Sequence, residues 1–240
     1  MTRENAELLK SGASCFGVHM NEQQVYAFSR YHEQLIDWNE RINLTAITEE
    51  RDVVIKHFID SVSILRYLPE GTETVIDVGT GAGFPGIPMK IVQSSLKVTL
   101  LDSLEKRVRF LETVIMENQL SGMQAIHGRA EDFAREKSHR ECYDVGVARA
   151  VASLPVLCEY ILPFVRIGGV FIAMKGSEVQ NELEQSGKAI SILGGTVKKV
   201  EHFTLPFDPM ERHIILIEKI RQTPTQYPRK SGKPTKSPLR

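Results

Sequence analysis

Residues Val75 to Val78 form a short, mostly apolar strand pattern that runs directly into glycines at positions 79, 81, 83 and 86, with Phe84 and Pro85 between the last two. Such a run predicts a buried strand, a turn whose backbone can take positive φ and approach a ligand closely, and a helix opened by Pro85. A strand–turn–helix unit of this kind begins a parallel α/β sheet, in which ligands bind at the carboxyl ends of the strands. Gly81-x-Gly83-x-x-Gly86 satisfies the dinucleotide pattern, but in that frame the first glycine directly follows the strand. Here that residue is Gly79, an acid (Asp77) precedes it, and Phe84 stands where the third glycine belongs. A glycine turn with no ligand is the plain alternative.

The following segments extend the pattern. Lys97 to Leu101 reads as a second buried strand ending in Asp102, a carboxylate placed to accept ribose hydroxyls from either a nicotinamide or a sulfonium nucleoside. A helix from Leu104 to about Leu120 presents an apolar stripe, and Glu105, Lys106, Arg107, Arg109 and Glu112 read as its solvated face. After a third strand near Met123 to Ile126, Ala130 and Glu131 fall where an adenine edge can lie; Glu131 and Asp132 also suit an ordinary first helical turn. Tyr143 to Ala150 is a fourth strand, and Arg149 at its end needs water or a partner for its charge.

At 240 residues and 42% hydrophobic content, the chain can bury one substantial core with an appendage. The first residues lack a secretory pattern, and the longest apolar tract is broken by Glu159 and Arg166, so neither export nor a membrane span is expected and the cytoplasm is the expected compartment. Cys15, Cys142 and Cys158 have no metal spacing and read as free thiols, and no metal site is expected. Residues 21–68 look helical: Val25, Phe28, Leu35, Trp38 and Ile42 mark one helix, Asn43 to Ile47 interrupt it, and Val53, Val54, Phe58, Val62 and Leu65 mark a second. His57 and Asp60 lie one turn apart on that second helix, facing either the cleft or solvent. Beyond the fourth strand come a helix from Leu154 to Pro163, a turn at Gly168-Gly169 leading to a fifth strand, a helix from Glu178 to Leu193, and strands from Gly195 to Phe203 and Arg212 to Lys219. The last two are joined by too few residues for a crossover helix, so they should be antiparallel. The expected organisation is a helical extension (1–68), an α/β domain (69–220) and a basic, proline-rich tail (221–240).

Asp77-x-Gly79-x-Gly81-x-Gly83 resembles motif I of the class I S-adenosylmethionine (AdoMet) methyltransferases. Together with Phe84 to Pro88, the upstream His57-Phe58-Ile59-Asp60-Ser61, Arg149 to Ala152, and Tyr227 to Pro234, it resembles the RsmG family, formerly GidB. That resemblance runs from about residue 20 to the end. It implies a Rossmann-like seven-stranded sheet with one antiparallel strand, and transfer of a methyl group from AdoMet to guanine N7 in the 530 loop of 16S ribosomal RNA. It also implies cofactor contacts at Gly79, Phe84, Ala130, Glu131 and Arg149, to which the hinge and second-strand readings add Asp77, Gly81, Gly83 and Asp102.

Guanine N7 carries an in-plane lone pair and no proton, so its alkylation needs no general base and no catalytic residue is expected beyond positioning groups. His57, Arg149 and Lys175 are the candidate contacts to the guanine. An adenine-N6 enzyme would carry an Asn/Asp-Pro-Pro-aromatic loop where this chain has Arg149-Ala150-Val151-Ala152, and a pyrimidine-C5 enzyme would need a nucleophilic cysteine. The chain is neutral overall, yet after Glu218 come Lys219, Arg221, Arg229, Lys230, Lys233, Lys236 and Arg240 with no acid, leaving residues 1–218 with 23 basic and 30 acidic side chains. Arg221, Tyr227, Arg229, Lys230, Lys233, Lys236 and Arg240 are accordingly the candidate RNA contacts, on an arm expected to be mobile; a merely solvated tail is the alternative. The partner is then 16S rRNA or the small subunit, met by a monomer. A small-molecule methyltransferase, and a nucleoside-binding or NAD-dependent protein, are the other two classes the residues admit.

Overall fold

The computed structural model describes residues 1–149, 152–176 and 179–239. Seven strands form one sheet in the order β3-β2-β1-β4-β5-β7-β6. They are β1 (Thr74–Val78), β2 (Lys97–Asp102), β3 (Met123–His127), β4 (Tyr143–Arg149), β5 (Val165–Lys175), β6 (Gly195–Thr204) and β7 (Glu211–Lys219). Only β7 is reversed, antiparallel to both β5 and β6, as the short link between the last two strands requires. The order turns back between β1 and β4, so the carboxyl ends of those strands open the crevice where doubly wound sheets bind ligands.

Helices cover both faces. Val75, Val98, Val145, Val147 and Ile172 on one face join α1 (Arg3–Ser14), α2 (Glu22–Ile42) and α5 (Gly86–Val92) in a single apolar cluster. On the other, Ile76, Val78, Phe171 and Ala173 pack against α7 (Ala130–Phe133), α8 (Leu154–Ile161) and α9 (Gln180–Ile192). α6 (Glu105–Glu117) closes the first face with Phe110, Leu111 and Val114.

The first twenty residues, which carry no motif, contain α1, and its Gly12 lets it cross so closely that a side chain there would press into Ile59. Three details depart from expectation. The second amino-terminal helix is not continuous: α3 (Glu50–Val53) passes through a π-helical segment (Val54–Ile59) into α4 (Asp60–Val62) and a 3-10 turn (Ser63–Tyr67). Pro85 stands at the N-cap of α5 rather than inside it. Pairing of β5 begins at Val165, before Gly168 and Gly169, because those glycines form an irregularity in the ladder instead of a turn before it.

The tail is also seated rather than mobile. Its prolines bar a ladder but not docking, and the body supplies partners. Arg140 donates to the carbonyls of Thr223 and Tyr227 at 2.7 and 2.9 Å. Arg229 forms an ion pair at 2.6 Å with Glu159, a carboxylate of α8 with no exposure, and Gly232 N–H donates to Glu131 at 2.9 Å. Within the short α10 (Lys233–Lys236), Pro234 is buried.

Candidate active site

The hinge after β1 has Gly79, Gly81 and Gly83 at φ of 70°, 63° and 98°, the left-handed region that a Cβ opposes. Asp77 is fully buried and holds the hinge from beneath: Oδ2 accepts from Thr80 Oγ1 at 2.7 Å and from Gly86 N at 2.8 Å. Gly86 must be glycine because a Cβ would strike Leu100 and Asp77 itself. Burial pushes the Asp77 carboxyl up to about 6, and it faces neither cavity described below, so its place is in the frame. Asp102 is likewise drawn inward. One of its oxygens accepts from Gly81 N and the other from Leu104 N, each at 2.9 Å, with Arg107 at 3.6 Å. From α2, the buried Tyr31 hydroxyl donates to the Ala82 carbonyl, so the amino-terminal helices fix the hinge as well.

Two cavities meet at Gly79. The smaller, about 160 Å³, is walled by Val78, Ser103, Ala130, Glu131, Leu157 and Tyr160. The larger, about 460 Å³, opens toward Thr45, His57, Phe84, Arg107, Arg149 and Arg212. Gly81 and Lys175 line it too, and Lys175 is held by Glu182 and the Ala152 carbonyl, each at 2.7 Å.

The wall of the larger cavity is a stack. His57 lies over Phe84 with centroids 4.5 Å apart and planes at 24°, and Arg149 Cζ sits 4.8 Å from the centre of the same ring. Beneath them Asp60, with no exposure, pairs with Arg149 at 3.0 Å and with Arg212 at 2.8 Å, and so holds both cations in place. The π-helical segment adds a residue to the turn and swings His57 toward the cavity while Asp60 points under it.

Burial, followed by the charge of Arg149, holds the His57 imidazole down to about 3. An unfolded histidine would titrate near 6.5, so between those values the unfolded chain binds a proton that the folded chain refuses, and stability falls as pH drops through that window. Asp77 acts oppositely, since its folded form keeps a proton between 3.8 and about 6. Urea unfolding from pH 7 to 5 should therefore show a shallower decline for His57→Gln than for the parent, by up to about 1.4 kcal/mol per pH unit. Equal slopes would show that His57 is solvated in the folded protein.

The sequence-expected residues are thus sorted. Gly79, Gly81, Phe84, Ala130, Glu131, Arg149, His57 and Lys175 line the two cavities, whereas Asp77, Gly83 and Asp102 hold the hinge behind them. Arg107, expected on a solvated face, lines the larger cavity. Thr45, Tyr31, Leu157, Tyr160 and Arg212 were not anticipated. Their only sequence signal is position: Leu157 and Tyr160 sit three apart on the helix after β4, and Arg212 is the second residue of β7, near the end of β5. Arg229 is spent on Glu159 and Tyr227 packs on the core, while Lys230, Lys233 and Lys236 remain exposed; Arg240 lies outside the described residues.

The family model for GidB, rRNA small subunit methyltransferase G, matches residues 24–215. The chain belongs to this family. It is 54% identical over 97% of its length to ribosomal RNA small subunit methyltransferase G of Acetivibrio thermocellus, covering 96% of that protein. It is 52% identical over 99% of its length to the protein of the same name from Alkaliphilus metalliredigens, covering 100% of it. Among solved structures, a geranyl diphosphate methyltransferase in complex with SAM superposes with a TM-score of 0.53 at 12% identity, over 67% of this chain and 84% of that one. The [4+2]-cyclase SpnF gives the same TM-score and identity over 68% and 81%. The GidB sheet is thus that of the class I methyltransferases, and one such neighbour being a cyclase shows that the fold alone does not choose the chemistry.

Proposed function

We propose that this GidB-family chain transfers a methyl group from AdoMet to N7 of a guanine in the 530 loop of 16S ribosomal RNA. The observation that carries this is the composition of the larger cavity: among the described residues lining it are four cations, Arg107, Arg149, Lys175 and Arg212, and no carboxylate or thiol. A nucleophile that must lose a proton finds no effective base there, because burial and Arg149 hold the His57 imidazole down to about 3, with Arg149 Nη2 3.3 Å from its Nδ1, and Asp77 is sealed beneath the hinge. Cys158 is fully buried and its thiol is pushed far up by burial, which argues against a cysteine adduct. An aromatic nitrogen with an in-plane lone pair needs only placement, and a cationic cavity suits a nucleotide carrying phosphates.

The residues present fit the cofactor. The smaller cavity, apolar on Leu157 and Val78 and edged by the carboxylate of Glu131, suits an adenosine, and Gly79, which lines both cavities, joins it to the larger one. When bound there, AdoMet supplies an electrophilic methyl on a sulfonium. The chain's own residues do the rest: the hinge glycines let the backbone approach, Phe84 and Arg149 wall the reacting end, and the 1–68 helices supply Thr45 and His57 from the opposite side. A monomer acting in the cytoplasm is part of this proposal; among the described residues no helix is long and apolar enough to cross a membrane.

Incubation with methyl-labelled AdoMet and small ribosomal subunits or 16S rRNA, then digestion, should place label in 7-methylguanosine. Label elsewhere, or none, would overturn the reading. The exposed Lys230, Lys233 and Lys236 are proposed to meet RNA phosphates. Replacing all three with alanine should make the salt dependence of RNA binding shallower by about 2 in log–log slope, with AdoMet affinity unchanged. Truncation after Ile220 is a poorer test, because it strips partners from Glu131 and Glu159.

A further inference from the structure

Thr45 follows the left-handed C-cap of α2, Asn43, and its turn is pinned by Asn39 Oδ1, which accepts from the backbone N–H of Leu44 and of Thr45 at 2.6 and 2.8 Å. Its hydroxyl oxygen accepts from Ile47 N–H at 3.0 Å and lies 2.8 Å from His57 Nε2. On the far side of the ring, Nδ1 lies 3.3 Å from Arg149 Nη2 and 3.2 Å from the Lys56 carbonyl, which itself accepts from Arg149 Nη1 at 3.2 Å. A guanidinium can only donate and the Lys56 carbonyl can only accept; because that carbonyl already receives Arg149 Nη1, we assign Nδ1 as the acceptor of Arg149 and place the proton of the neutral ring on Nε2, directed at Thr45. Both lone pairs of the Thr45 oxygen are then filled, and its own proton is left for the cavity that it lines.

We infer that Thr45 donates this hydrogen bond to O6 of the target guanine and is the residue that selects guanine over adenine. The assignment rests on the N7 reading above. The edge beside N7 carries an acceptor, O6, in guanine and an amino donor in adenine, so a hydroxyl restricted to donating matches one base and opposes the other. Arg149 is committed to Asp60 and to the ring, and His57 acts through Thr45 instead of touching the base.

The test compares 16S fragments or reconstituted subunits carrying guanine or 2-aminopurine, which keeps N7 but lacks O6, at the methylated position. The parent should lose about 10- to 100-fold in kcat/KM on 2-aminopurine. Thr45→Val should show a similar loss on guanine and little further loss on 2-aminopurine, with AdoMet affinity unchanged, and Thr45→Ser should recover most of the rate. If valine disturbs folding, Thr45→Ser against Thr45→Ala carries the same comparison. A hydroxyl-free variant that still discriminates as the parent does, or that methylates guanine at the parental rate, overturns the assignment alone. A parental product other than 7-methylguanosine overturns the N7 reading and this assignment with it.

Discussion

Asp60→Asn is expected to lower the unfolding free energy by about 3–5 kcal/mol, measured by urea denaturation at neutral pH, because it leaves two largely buried guanidinium groups without their shared counter-ion. Asp60 has no exposure, and the side chains of Arg149 and Arg212 are only 13% and 15% exposed. Taking one partner from such a group leaves charge that neither water nor protein balances, which costs far more than losing a surface ion pair. A loss below about 1 kcal/mol would mean that both arginines reach solvent easily. The same variant should abolish methyl transfer, since Arg149 and through it His57 and Phe84 would lose their anchor.

Arg149→Met is expected to slow methyl transfer by about 100-fold, with a much smaller effect on unfolding because Asp60 keeps Arg212. The guanidinium spans three tasks: it pairs with Asp60, donates toward His57, and lies over Phe84. Without it the ring that walls the reacting end is free to shift, and a displacement of about 1 Å in a positioning group is enough for a loss of that size. Arg149→Lys should not rescue, since an ammonium has neither the fork nor the plane that these contacts use. Steady-state kinetics on 16S rRNA should place the loss in kcat; a lysine variant with parental kcat would show that charge alone suffices.

The helical extension and the tail make the same point about placement from two sides. Tyr31 and Thr45 touch the hinge and the larger cavity from α2 and the turn after it, and Gly232 and Thr235 hold Glu131 and Tyr160, two of the polar groups of the smaller cavity. Segments remote in the chain therefore finish a pocket that the sheet only begins.

The succession of strands and helices, the antiparallel last pair, and the hinge at Gly79 to Gly86 were legible without coordinates, because burial periodicity, glycine spacing and connection length are local properties that follow from the backbone. Carboxylates at strand ends are where local pattern says least. Asp77 and Asp102 sit at strand ends where a ligand is expected, yet only tertiary packing shows that neighbouring amides, Gly86 and Gly81, claim them first. Arg107 read as surface and Arg229 as an RNA contact, since sequence does not tell whether a long cation meets water, a cavity or a buried acid across the fold. Asp60, Arg149 and Arg212 are brought together from three distant parts of the chain. Local pattern set the scaffold and the hinge; which charges line the larger cavity was decided by which partners the folded chain put within about 3 Å of them.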